Sequence, residues 1–522
     1  MYESQNQAFM KNIQANAPGE TQLPSDAIPS PVEPLQEDQS IPVNKWAMLV
    51  LAALSGFITT LDGSIVNIGL PAISQTFHVG ISGPIEWIII GYLVIIAASL
   101  LTFGRLADML GRKPIFLVGL IVFIIGSALS GMAPTLLLLI IARLFQGLGG
   151  ALLFSVNIAM ITSTFPESER GLALGLNAVV VSLGVSAGPT IGGIITQYLT
   201  WRWIFYVNVP IGIVVLFSAF YFYHEKHPET KYQRFDPLGA VLLAISLASL
   251  TLGLSFGEEW GWFSASLLSS IGLGVLVLAI TIYVETHIKN PILDLHLIRN
   301  HTFAFANISF MLCMMALFAP GFLMPFYFEQ LRGFSTIQTG LMLTPLPLTM
   351  ALIAPLSGTL ADHIGSRWLS PIGLTIVCLG LFLLGQINAQ STMTDIVWRL
   401  VLIGIGQGVF QSPNTRTIMG AAPHEEQGEA SGLLATGRVI GQSLSVALAG
   451  TVFAAFGGAV AGNVLAAQSH HLTAGRLASL QAMFDSGFHA ALLACAAFAA
   501  IGIFTAIARG KGAALSPARQ AS

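Results

Sequence analysis

Charge is what this sequence has least of. Of its 522 residues, 9% are Asp, Glu, Lys or Arg and 54% are hydrophobic, whereas a soluble globular domain carries roughly 25% charged residues. Such a chain reads as a polytopic membrane protein. The formal net charge of −3 is far too small for the basic footprint that nucleic acid demands, so no nucleic-acid partner is expected. The three cysteines, Cys313, Cys378 and Cys495, stand in apolar segments; they exclude a disulfide framework and read as small core residues. No Cys/His cluster has metal-ligand spacing, so no metal is expected. No GxxxxGK[S/T] phosphate loop occurs, which disfavours ATP-driven work.

Apolar runs are what the sequence has in abundance. Residues 1–44 are polar, hold Pro18, Pro24, Pro29, Pro31, Pro34 and Pro42 and lack an apolar h-region, so they are expected to be a disordered tail rather than a signal peptide. About 20 apolar residues cross a hydrocarbon core, and segmenting by that length predicts fourteen helices. Their approximate centres are 46–70, 85–104, 114–132, 136–162, 172–198, 203–222, 237–256, 265–285, 302–327, 337–360, 369–388, 395–419, 430–456 and 487–508. No alternating ten-residue strands with barrel turns appear, so the fold class is all-α. An even count puts both termini on one side. With that side cytoplasmic, inner loops hold Arg105, Arg112, Lys113, Arg170, Lys226, Lys231, Arg234, Lys289, Arg299 and Arg367, against Arg202, Arg332 and Arg476 outside, as the positive-inside rule requires.

The chain also repeats itself. "GRLADMLGRKP" at 104–114 returns as "GTLADHIGSRW" at 358–368, at an offset of 254. "ERGLALGL" at 169–176 returns as "EQGEASGL" at 426–433, at an offset of 257. Six helices with short loops take roughly 180–190 residues at this span length, so the excess fits two additional helices between the halves. The expected organisation is a cytoplasmic tail at 1–44, a six-helix half at 45–222, a linker with two extra helices at 223–290, a second half at 291–510 and a tail at 511–522. Duplicated halves around a central site are a transporter plan.

Four patterns make the resemblance specific. "GRLADMLGRK" resembles motif A of the major facilitator superfamily, with Gly104, Asp108, Gly111, Arg112 and Lys113 at its key positions and Asp362 and Arg367 in the echo. The resemblance implies gating, with the aspartate meeting the dipole of a helix start in the opposite half. Gly175, Gly184, Gly188, Pro189, Gly192 and Gly193 resemble motif C, the antiporter motif of drug:proton exporters; small residues at this spacing let helix backbones approach and proline bends the helix. "RLFQGLGGA" resembles motif B, where the arginine, here Arg143, is implicated in proton transfer. "LDGSIVNIGLP" resembles the first-helix motif of fourteen-helix drug:proton antiporters of the EmrB/QacA type. This resemblance runs from about residue 45 to 510. It implies a major facilitator fold in a bacterial inner membrane, exporting lipophilic drugs or toxic compounds by alternating access, with the proton as coupling ion and no other cofactor. In a host with two membranes it adds a periplasmic adaptor and an outer-membrane channel as partners.

Asp62 carries the most information. It lies about 25 Å along its helix from Lys45, and Arg143 about 12 Å from Thr135 on its own helix, which sets both at similar depth in the outer half of the first bundle. A charged group there costs about 2.5–3.5 kcal/mol and by default marks function or a partner. Asp62 and Arg143 are therefore the first candidates for proton coupling and Glu329 the second. Glu86, Glu258, Glu259 and Asp395 read as solvated charges at outer helix ends. Candidates to line an apolar binding site are Asn67, Tyr92, Gln146, Asn157, Asn307, Met314 and Gln411. Without the resemblance, the same residues also fit a positive-inside turn with a capping Asp, an arginine snorkelling outward and an aspartate that merely neutralises it. Export or uptake of a defined metabolite such as a siderophore or amino acid stands as the alternative. No nucleophile, base and oxyanion pattern suggests an enzyme.

Overall fold

The computed structural model describes residues 44–80, 83–223, 237–256, 260–261, 263–287, 297, 299–422, 427–468 and 473–508. The helices are α1 (Lys45–Phe77), α2 (Trp87–Leu110, led in by a 3-10 turn at Gly83–Glu86), α3 (Arg112–Met132), α4 (Leu136–Thr164), α5 (Glu167–Tyr198) and α6 (Trp203–Phe222). Between the halves come α7 (Pro237–Ser255) and α8 (Ala265–His287). The second half holds α9 (His301–Phe326, extended by a π-turn at Tyr327–Leu331), α10 (Thr336–Leu343), α11 (Pro345–Ile364), α12 (Ser366–Leu384), α13 (Met393–Ala421), α14 (Gln427–Ala455), α15 (Gly458–Gln468) and α16 (Ala474–Ala508). Among the described residues 13 helices are long and apolar enough to cross a membrane. The chain is a multi-span, all-helical membrane protein. α7, 19 residues long, stands where the seventh predicted segment was placed. The predicted loop at 457–486 is different: α15 and the first turns of α16 fill it, so the last helix begins at Ala474. Its Ala-rich composition is strong helix-forming sequence.

The repeat is visible in backbone detail. Asn44 caps α1 by accepting from the N–H of Trp46 and Ala47, and Asn300 caps α9 the same way through Thr302 and Phe303. Thr135 and Thr392 cap α4 and α13. Each satisfies helix-start donors that have no partner within the helix. The motif A glycine and its echo, Gly111 and Gly365, both turn the chain at positive φ, 92° and 88°, a region that side-chain-bearing residues avoid. Buried glycines match as well. Gly184 of α5 packs on the Phe57 carbonyl of α1, and Gly441 of α14 packs on the Met311 carbonyl of α9. Each such position lets two backbones meet where a methyl group would hold them apart.

Both ends of the described chain lie at one end of the bundle. Lys45 pairs with Glu169 at the start of α5, 2.5 Å away, and Thr505 near the end of α16 hydrogen-bonds Ser309 near the start of α9 at 2.8 Å. We call this the near end. At the far end the halves close on each other: Thr190 of α5 hydrogen-bonds Thr344 at the α10/α11 junction at 2.7 Å, and the 3-10 turn before α2 packs on α14. Between the ends, α1 meets α9 and α2 runs along α14, while α7 covers the α2–α14 seam and α8 packs outside α7.

Candidate functional site

Asp62 sits near the middle of α1 with its side chain 0% exposed, and Arg143 of α4 is 1% exposed. Arg143 Nη1 donates to Asp62 Oδ2 at 2.6 Å. A buried charge must be paired and further hydrogen-bonded to be tolerated, and the surroundings meet that demand. Gln146 Nε2 and Asn208 Nδ2 donate to Asp62 Oδ1 at 3.0 and 2.9 Å. Arg143 also donates through Nη1 to Gln146 Oε1 at 2.8 Å and through Nε to the Ile88 carbonyl at 3.1 Å. Gln146 is one helical turn from Arg143, so α4 aims both at the same carboxylate. Asn208 of α6 is steadied by Ser127 of α3, 3.3 Å away, whose hydroxyl donates to the Phe205 carbonyl at 2.8 Å. The guanidinium lies over the rings of Tyr92 and Phe205, 4.2 and 5.6 Å from their centroids, a cation–π cradle in place of water.

Five helices of the first half thus converge on one ion pair. Among the described residues the second half has no fully buried ion pair. Carrying the repeat offsets of 254 and 257 over sets Ala316 opposite Asp62 and Leu400 opposite Arg143, both 0% exposed. The same six-helix plan therefore packs well without the charges.

The helix carrying Asp62 is coupled to the far-end closure through α5. Thr60 donates to the Val181 carbonyl at 3.1 Å and Ser64 to the Gly184 carbonyl at 3.3 Å. Gly188 lies on Ser64 and Gly192 on Ile65. A few residues on, the Pro189 carbonyl lies against Gly340, and Gly193 against the Thr336 carbonyl. Motif C is thus the strip of α5 that touches the Asp62 helix on one side and the opposite half on the other. Gly175 and Gly104 have open space where a Cβ would point. Of the motif A residues, Arg112 donates to the Ala159 carbonyl at 2.9 Å, Lys113 is half-buried and Arg367 is exposed beside Trp368. The side chains of Asp108 and Asp362 lie outside the described residues, as do Glu258 and Glu259.

The candidate lining residues separate into two groups. Tyr92 and Gln146 belong to the ion-pair cluster. Asn157 is engaged inside the first half, donating to the Ala52 carbonyl at 2.6 Å and accepting from Asn177 at 3.0 Å. Asn67, by contrast, reaches Gly321 of the other half, Asn307 faces Gly437, and Met314 lies on Gly441. Gln411 is half-buried on α13. Glu329 stands in the π-turn, half-buried, with Oε1 lacking a hydrogen-bond partner among the described residues, well apart in sequence and half from Asp62. Sequence reasoning missed Asn208 and Ser127, although an Asn within an apolar run carries the same kind of signal as Asn67. It also misread Glu86, which is 0% exposed rather than solvated: its turn is tucked under α14.

Repeated six-helix halves, a closed far end and a buried charge cluster in one half are the frame of a membrane transport protein. The chain belongs to the Major Facilitator Superfamily, whose family model matches residues 52–446; it is a transporter, not an enzyme. It is 33% identical over 413 residues to the riboflavin transporter RibZ of Clostridioides difficile (strain 630), covering 78% of this chain and 88% of that one. It is 33% identical over 417 residues to the multidrug resistance protein Stp of Mycobacterium tuberculosis (79% and 77% covered). It is 30% identical over 409 residues to the tetracenomycin C resistance and export protein of Streptomyces glaucescens (78% and 76%). Among solved structures, a bacterial homologue of the lysosomal transporter Spinster in an inward-facing state superposes with a TM-score of 0.65 at 16% identity, covering 90% of this chain and 97% of that one.

Proposed function

We propose that the protein is a proton-coupled exporter of lipophilic compounds, a fourteen-helix antiporter of the EmrB/QacA type with α7 as the remaining span. Both termini are cytoplasmic in this reading, in a bacterial inner membrane, and the far end faces outward. The observation that carries it is the one-sidedness of the Asp62–Arg143 pair. A buried ion pair is weak support for stability, and apolar replacements are often neutral or better; Ala316 and Leu400 make that replacement in the second half. A pair retained in one half alone has a task other than holding the bundle together.

In the cycle, Asp62 takes up a proton while the site is open outward, and loss of its charge loosens its hold on Arg143, Gln146 and Asn208. The change passes through Thr60 and Ser64 to motif C and so to the far-end closure. Release of the proton to the cytoplasm restores the pair and resets the site for cargo. One charge crossing 100 mV supplies about 2.3 kcal/mol. Asn67, Asn307, Met314 and Gln411, on helices of both halves, are the proposed cargo contacts, and Gly104, Asp108, Asp362 and the basic turns form the near-end gate. The names of Stp and the tetracenomycin C export protein favour drug-like cargo. A second reading, a single defined metabolite, is favoured by RibZ, which is equally similar.

Dye efflux from energised vesicles, with and without a protonophore, decides the coupling. Wild type is expected to lose efflux with the gradient and Asp62→Asn to lack it throughout. Proton-dependent efflux surviving in Asp62→Asn would remove Asp62 from the coupling role. Saturable counterflow of riboflavin, with no dye transport, would favour the second reading.

A further inference from the structure

The second half carries a charge that the first half lacks. Arg438 stands on α14, about 17 Å along the helix from Gln427 and about 18 Å short of Gly450, near the middle of the span. Its repeat mate, 257 residues earlier, is Val181 of α5, an apolar side chain laid against Gly56 of α1. Among the described residues Arg438 makes no hydrogen bond, ion pair or ring contact. It is half-buried, and none of its nitrogens is sealed away without a partner as Nε and Nη1 of Arg399 are. The guanidinium therefore borders open space.

That space is inside the protein. From Ala430 to Ala454 no residue of α14 is exposed, so the helix shows no broad face to lipid. Gly437 and Gly441 pack on Asn307 and Met311 of α9, and Gly450 packs on the turn before α2. At about 100° per residue, Arg438 and Gln442 stand in the sector between those two faces, on one stripe with Ser431. Gln442 likewise has no hydrogen-bond partner among the described residues. The repeat mates of this stripe are Leu174, Val181 and Val185, so its polarity belongs to the second half alone.

No acid answers the guanidinium at its own level. The helices packed on α14 are α2, α7, α9, α13, α15 and α16, and α7, α9 and α15 carry no acidic residue. Asp108 stands at the near end of α2, and Asp395 of α13 pairs with Arg399 at the far end. Asp485 lies about 35 Å from the near end of α16, and Glu429 about 14 Å from Arg438 along α14. Asp62 is already held by Arg143, Gln146 and Asn208. An arginine stays charged in a protein, and a charge within a membrane span marks a function by default.

We propose that Arg438 is an anion subsite within the cargo site: it takes a carboxylate on an otherwise apolar compound, with Gln442 donating beside it and Asn307 and Met314 of α9 along the apolar body. The subsite rests on the transport reading above and narrows its cargo from lipophilic compounds in general to lipophilic acids. A guanidinium meets a carboxylate through two parallel N–H···O bonds, whereas an ester of the same body offers only neutral acceptors. An anion carried outward moves down the inside-negative potential that draws protons in, so the membrane potential acts on both limbs of the exchange.

The test is binding to the full-length protein in phosphatidylcholine nanodiscs, read as tryptophan-to-pyrene energy transfer with pyrenebutyrate and with its methyl ester, which share one apolar body. Wild type is expected to hold the acid about tenfold or more tightly than the ester, and Arg438→Gln to lose that preference. No gradient is present, so this outcome is independent of the dye-efflux test of Asp62, and either can fail with the other standing. Equal affinity for acid and ester in wild type, or a preference that survives in Arg438→Gln, overturns the subsite. So does a preference erased by adding phosphatidylglycerol to the disc, since the anion that Arg438 takes is then a lipid headgroup. If Arg438→Gln does not fold, Gln442→Cys decides, with Cys313, Cys378 and Cys495 replaced by serine. Pyrenebutyrate is expected to slow maleimide labelling there well beyond the effect of the ester, and equal slowing by both overturns the subsite.

Discussion

The Pro189 carbonyl lies against Gly340 across the boundary of the two halves, with no room for a methyl group between them. Gly340→Ala therefore loads its strain onto the closed far end. Overpacking costs about 1–3 kcal/mol, which is a loss of the closed state of about 5- to 150-fold. Spin labels at Leu199→Cys and Leu341→Cys, both exposed positions, in a protein with its three native cysteines replaced by serine, should report a larger open fraction, and dye efflux should fall, while expression stays near wild type.

Asp62 and Arg143 should be far more sensitive singly than together. Arg143→Leu leaves a buried carboxylate without its cation and is expected to cost about 3–5 kcal/mol. The double change Asp62→Ala with Arg143→Leu copies the Ala316 and Leu400 arrangement of the second half. It should recover most of the thermal stability in detergent yet show no proton-dependent efflux. A double variant no more stable than the single one would mean that the pair is structural.

Much of this was legible in the chain. Depth along α1 and α4 placed Asp62 and Arg143 at one level, because a helix advances by a fixed rise per residue. The two repeat offsets predicted the halves, and the capping residues, glycine turns and glycine contacts fall at those offsets. What sequence could not give was which face of a helix a polar residue occupies when apolar residues surround it on every side. Gln146 and Asn157 looked alike; one donates to Asp62 and the other braces α1 against α5. Glu86 was misjudged because proximity to a helix end was read as exposure, and only the packing of α14 over the turn reverses that. The last helix was predicted over 487–508, and its first turns from Ala474 were read as loop because Arg476, Gln481 and Asp485 break the apolar run there without breaking the helix.

Gly104 and Gly175 face open space in this state, so alanine fits either one here. If the near end closes during the cycle, as the gating proposal requires, that space is the space to be filled. Gly104→Ala and Gly175→Ala are expected to match wild type in melting temperature and to lose transport. Unchanged efflux would take these positions out of the near-end closure.

Gly111 and Gly365 offer a contrast with a purely local cause. Both adopt a backbone conformation open almost only to glycine, so alanine at either should cost about 1–3 kcal/mol. The two losses should be similar in size, since the two turns share one geometry. Thermal unfolding of each single variant and of the pair checks this, and the losses should add, because the sites lie in different halves.

The α7–α8 hairpin lies along one of the two seams between the halves, covering α2 and α14. The other seam is bordered by α5 and α11, whose surfaces carry exposed leucines at helical spacing, Leu172, Leu176 and Leu183 on one and Leu348, Leu352, Leu356 and Leu360 on the other. A molecule built from two repeated halves is thereby lopsided toward the lipid. Compounds dissolved in the bilayer meet a wall of two extra helices on one flank and a leucine-edged boundary between moving halves on the other, so the membrane itself has a front and a back to this transporter.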